Sequence, residues 1–256
     1  GSMSTVYCTD GSPEGFFTAV FDAYADKNAR IISSSAFQPA LDDCFRQVAP
    51  DREKAARVLK KLKALDRNCL YDLDCVLRTP ESDREQAAFL YIRLLVTEGK
   101  SIRGMLASPE VRRVRDLSDR VGQERHRLTG FLRFRETANG VFYAPCAPDN
   151  DVVELLMSHF AARFRTFPFV IHDVKRKLAG VCDGREWTVV PAGEAELVLS
   201  DAEDAFETLW KKYYRTVSIP SRKNIRQMKA YMPVRYWNFL LENPREESEF
   251  SGFSEP

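Results

Sequence analysis

The residue types that could carry acid–base or metal chemistry are few: the sequence has three histidines, His126, His159 and His172, with Asp173 directly after the last of them. His159 and Arg163 are four apart on an expected helix and so share one face. His172 and Asp173 are neighbours in an expected strand, and successive strand side chains point to opposite sides, so the two cannot pair with each other. A general acid–base or metal site, with Arg163 holding phosphate, therefore requires the sheet to bring His126 or His159 toward His172 or Asp173. The plainer alternative is that each is a hydrogen-bonded structural histidine. Nucleophile signatures are missing: no G-x-S-x-G and no H-E-x-x-H occurs.

A second constellation lies near the C-terminus. Lys211, Lys212, Arg215, Arg222, Lys223, Arg226, Lys229 and Arg235 fall in a stretch, residues 211–241, that contains no acid. Tyr213, Tyr214, Tyr231, Tyr236 and Trp237 are interleaved with them. Cations neutralise phosphate and release counterions, while aromatic faces stack on unpaired bases. Residues Lys211 to Trp237, with Tyr236 or Trp237 as stacking groups, thus form an expected nucleic-acid-binding segment. The competing reading is a solvated basic helix whose aromatic side chains belong to a core.

Composition bounds the remaining classes. With 44% hydrophobic and 29% charged residues and a net charge of +1, the chain is globular in type. No apolar run approaches the ~18 residues of a membrane helix, and no basic-then-apolar leader opens the chain. A cytoplasmic protein without a membrane partner is expected. Gly1-Ser2-Met3 reads as a tag remnant ending at a native start. Cys8, Cys44, Cys69, Cys75, Cys146 and Cys182 include no C-x-x-C pair, so free thiols are expected, with no metal and no cofactor bound by this chain.

The elements that must position these residues follow from periodicity. Residues 6–9 read as a strand, and Asp10-Gly11-Ser12-Pro13 supplies a turn, an N-cap and a proline for the first turn of a helix over 13–27. That helix start could also receive an anion. A second strand is expected near 29–33, then helices over 51–65, 82–97 and 109–125, with Ser82 and Ser108 as caps. Past Arg127 the pattern alternates. Phe131 to Phe134 and Val141 to Tyr143 flank Asn139-Gly140, which signals a hairpin. A helix over 151–164 precedes strands at 169–173, 178–181 and 187–190, and further helices are expected over 201–214 and from 223. The sum is an α+β fold: an antiparallel sheet with helices packed around it, in a mostly helical region (4–125), an α+β region with a basic helical end (126–243) and a disordered tail (244–256).

Several segments together resemble a bacterial family described as DNA repair or DNA metabolism proteins of unknown function. They are residues Tyr7 to Phe16, His126 to Phe134, Ser158 to Phe164, Ile171-His172-Asp173, Trp210 to Tyr214 and Met232 to Trp237. The resemblance implies DNA as a partner and a companion radical-SAM protein similar to spore photoproduct lyase, with a uracil-DNA glycosylase domain fused in some relatives. It supplies no catalytic residues. The expected role is a DNA-binding accessory that holds damaged or modified DNA for a radical-SAM repair enzyme, whose cluster chemistry would belong to the other polypeptide. The rivals are a DNA- or nucleotide-processing enzyme using the His/Asp set, and a protein-interaction scaffold.

Overall fold

The computed structural model of the chain describes residues 4–33, 44–136 and 140–192. The described residues divide into two compact units at the junction between Asp119 and Arg120.

The first unit begins with β1 (Thr5–Thr9), α1 (Pro13–Ala23) and β2 (Arg30–Ser33), followed by β3 (Cys44–Gln47). Ser12 accepts a hydrogen bond from the Gly15 amide at 3.0 Å, which satisfies one orphan donor of α1 and fixes its start. Both neighbours of β1 run parallel to it, in the order β2-β1-β3. Central position explains why Val6, Tyr7 and Cys8 are all buried, without the alternation of a one-sided strand.

Helices α2 (Arg52–Leu65), α3 (Arg67–Leu77) and α4 (Arg84–Glu98) follow. Asp51 and Asp66 cap the first two, while α4 ends at Gly99 in the left-handed region, φ 67°. Ser82 is not the cap of α4; Asp83 holds that position without a side-chain bond. Arg93 of α4 donates to the carbonyls of Ala23, Tyr24, Asp26 and Lys27, at and just beyond the end of α1. Its guanidinium also lies 4.6 Å from the Phe89 ring centroid. Helix α5 (Pro109–Phe131) carries the chain into the second unit.

That unit contains β4 (Arg135–Glu136), β5 (Phe142–Cys146), α6 (Val153–Phe164), β6 (Phe169–Asp173), β7 (Leu178–Cys182) and β8 (Trp187–Pro191). They form one sheet in chain order, β4-β5-β6-β7-β8. Its pairs are antiparallel except β5 with β6, which run parallel because α6 returns the chain to the same end. Helix α6 lies on the sheet where β7 has no side chain: a methyl group at Gly180 would sit 2.9 Å from Val153 Cγ1 and closer still to the Met157 sulfur.

The expectation of a single antiparallel sheet is therefore corrected. The fold combines helices with one parallel and one mixed sheet. Strand direction depends on what connects the strands, and the crossovers through α1 and α6 decide it. Two elements were unforeseen, α3 and β3, and α5 extends to Phe131 where a strand was expected.

Candidate nucleic-acid interface

In the second unit the end of α6 is seated by rings. Phe134, just before β4, packs on Phe164 at 4.7 Å, Phe160 at 5.0 Å and Phe169 at 6.1 Å between centroids. Phe142 of β5 stacks on Phe164 at 4.9 Å and meets Phe167 edge-on at 6.0 Å. Such geometry adds to plain area burial and makes the group a stiff platform. Phe167 differs from the rest in being 58% exposed, and Phe131 at the end of α5 is 70% exposed.

Cations stand next to two of these rings in the chain. Arg133 and Arg135 bracket Phe134, while Arg163 and Arg165 bracket Phe164, and all four are exposed. His159 is exposed beside them, its ring edge-on to Phe160 at 4.9 Å. Among the described residues, none of these four guanidinium groups has an ion-pair partner. They are thus available to phosphate, with exposed phenylalanine faces close by in the chain.

The sequence-predicted acid–base residues occupy separate settings. His172 is fully buried, with Nδ1 2.8 Å from the Tyr143 hydroxyl and Nε2 3.3 Å from the Ala192 carbonyl oxygen. A carbonyl only accepts, so Nε2 carries the hydrogen and Nδ1 accepts from Tyr143. Asp173, also fully buried, builds the β6–β7 turn: Oδ1 accepts from the amides of Lys175 and Arg176, and Oδ2 pairs with Arg176 Nη1 at 3.1 Å. His126 is exposed on α5. No hydrogen bond joins His126 or His159 to His172 or Asp173 among the described residues. Nor does any group of three His, Cys, Asp or Glu residues there have metal-binding geometry. Arg163 is on the surface where its helix register put it. Lys211, Lys212, Arg215, Arg222, Lys223, Arg226, Arg235, Tyr236 and Trp237 lie outside the described residues.

Sequence reasoning passed over Arg133, Arg135, Arg165 and Phe167. The available signal was alternation of cation and ring, in Arg133-Phe134-Arg135 and again in Phe164-Arg165-Thr166-Phe167. It also passed over Glu124 of α5, a buried carboxylate that accepts from the Asp149 amide at 3.0 Å, the Asn150 amide at 2.7 Å and the Asn150 side chain at 3.1 Å. Glu124 thereby ties the loop leading into α6 to α5.

No curated protein and no solved structure matches the chain. The family model described as a domain of unknown function, DUF4130, matches residues 82–242, which takes in α4, α5 and every described element of the second unit. With more than half of its length matched, the chain belongs to the DUF4130 family.

Proposed function

We propose that this protein binds DNA through the arginine- and phenylalanine-bearing surface of its second unit, as an accessory in DNA repair or metabolism. The observation that carries the reading is the set Arg133, Arg135, Arg163 and Arg165, exposed and without ion-pair partners among the described residues, next in sequence to Phe134 and Phe164 of a ring platform from which Phe167 projects. Four cations supply affinity that does not depend on sequence, and an exposed ring favours unpaired bases, so single strands or disrupted duplexes are the preferred ligands. The basic Lys211–Trp237 segment would extend the same chemistry. A radical-SAM repair enzyme as the partner is supported by the sequence resemblance alone, and cluster chemistry would reside in that partner.

The test is fluorescence anisotropy of labelled single-stranded and duplex DNA over a salt series. If all four arginines meet phosphate, replacing them with glutamine lowers the slope of log K against log salt by roughly 3. Phe167→Ala is expected to weaken single-strand binding more than duplex binding. An unchanged slope and affinity in the quadruple variant, with its circular dichroism intact, would overturn the proposal.

A further inference from the structure

The chain leaves α6 through a backbone conformation that an arginine rarely adopts. Arg165 has φ 56° and ψ −102°, on the side of φ where a side chain crowds its own backbone. Such a conformation persists only where the surrounding structure over-determines it, and it clusters at binding and catalytic sites. Residues 165–168 are restrained at both ends. The Arg165 amide donates to the Ala161 carbonyl at 3.1 Å and the Phe167 amide to the Phe164 carbonyl at 3.0 Å, which tie the near end to α6. The Pro168 carbonyl accepts from the Phe142 amide at 3.0 Å, which ties the far end to β5. Pro168 also disfavours helical backbone at Phe167 before it.

A third restraint comes from the turn between β7 and β8. Gly184 of that turn is buried against Thr166, so close that a Cβ there would overlap the Thr166 carbonyl oxygen and sit 2.8 Å from the carbonyl carbon. The turn is itself fixed, because Asp183 Oδ1 accepts from the amides of Arg185 and Glu186 at 2.8 Å each.

What the loop holds out is one cation and one ring, Arg165 and Phe167. The ring meets Phe142 edge-on at 6.0 Å and remains 58% exposed. A stiff loop binds with little ordering cost but adapts little to its ligand. Proteins that follow a flexible single strand stack successive bases on several rings, whereas this loop offers one. In a matched duplex every base is already stacked, so inserting a ring means opening a step. That cost is lowest where a base is unpaired.

We infer that the 165–167 loop is a preformed wedge that recognises a locally unpaired position in duplex DNA. Phe167 enters the base stack, Arg165 holds an adjacent phosphate, and Gly184 is the positioning residue that sets the loop. The inference rests on the DNA-binding reading above and narrows its ligand.

The experiment compares, by fluorescence anisotropy with the full chain, a matched duplex and the same duplex carrying one central mismatch beside a 2-aminopurine. The mismatched duplex is expected to bind at least about tenfold more tightly, because its step opens at lower cost. The 2-aminopurine fluorescence should rise on binding as that step unstacks. Phe167→Ala should remove both the preference and the rise. Gly184→Ala, with its circular dichroism intact, should lower the preference although Phe167 is still present; a glycine with a purely structural role would weaken binding of both duplexes alike. Because Phe167 is exposed, Phe167→Ala decides the matter even where Gly184→Ala does not fold. An unchanged preference in Phe167→Ala would overturn the wedge. Equal, salt-sensitive binding of both duplexes by the parent protein would overturn it too, while leaving the DNA interface standing. No binding of either duplex or of single strands would fail the interface, and the wedge with it.

Discussion

The hydroxyl of Tyr143 donates to Nδ1 of His172 across 2.8 Å, and the Ala192 carbonyl takes the Nε2 hydrogen at 3.3 Å. Both nitrogens of a fully buried imidazole are thereby satisfied, and β5, β6 and the residue after β8 are tied together through one ring. Tyr143→Phe leaves Nδ1 without that donor, so destabilisation of about 1–3 kcal/mol is expected. Urea denaturation measures it. A midpoint equal to that of the parent protein would show that the bond contributes nothing.

Gly180 has a packing role that its buried strand position makes severe. Any side chain there meets Val153 and Met157 of α6, so Gly180→Ala is expected to cost about 1–3 kcal/mol through overpacking. The clash predicts a specific coupling. Met157→Ala alone opens a cavity, but in the Gly180→Ala background it also removes the obstruction, so the double variant should lose less than the sum of the two single losses. Additive losses in thermal denaturation would refute the close approach.

The start of the chain was legible because its signals are local: Ser12 and Pro13 announce α1, and Phe16, Phe17 and Val20 trace its buried side. Helix α3 was hidden by chemistry that looks like surface. Its acids Asp72 and Asp74 are buried, and Asp74 is matched inside the protein by Arg78, so polarity gave the wrong idea of exposure. Strand β3 is short and exposed throughout, with no alternation to read. Strand direction was illegible for the same kind of reason, since it depends on pairing and crossover rather than residue type. In the candidate site Arg163 followed from helical spacing. The partner of His172 did not, because Tyr143 is 29 residues away in sequence and only the β5–β6 pairing brings it near.

The Asp74–Arg78 pair supplies a further test. Arg78 Nε lies 2.8 Å from Asp74 Oδ2, with both side chains essentially inaccessible at 1% and 0%. Removing one member of a buried ion pair is strongly destabilising, so Asp74→Ala is expected to lose about 3–5 kcal/mol. Replacing both with hydrophobic residues of similar volume should restore much of that. A double variant as unstable as Asp74→Ala would show that the pair is needed for more than mutual compensation.

The thiols should differ sharply in reactivity. Cys44 is exposed, whereas Cys8, Cys69, Cys75 and Cys182 are buried and Cys146 is half-buried. Burial pushes Cys75 and Cys146 up to about 12, and raises Cys8 and Cys69 as well. The thiolate is the attacking species, so at pH 8 iodoacetamide should modify Cys44 well before any of the others. Peptide mapping after a short exposure checks this, and early modification of Cys75 or Cys146 would contradict their placement.

Asp72 gives the pH dependence of the first unit a definite sign. Its pKa is raised chiefly by burial, with Arg103 and the Ser118 hydrogen bond pulling the other way. The folded state therefore holds the proton more tightly than the unfolded state, so this residue's relative contribution is fully present below the ordinary carboxylate value of 3.8. It is lost as pH rises through the higher folded value, because ionisation then occurs against the burial. Asp72→Asn has no such ionisation, so its stability relative to the parent should improve as pH is raised from about 3 to about 7. Guanidinium denaturation at a series of pH values measures the difference. A difference that stays constant would mean that Asp72 ionises as freely as in the unfolded chain, and a difference that moves the opposite way would mean that Arg103 outweighs burial.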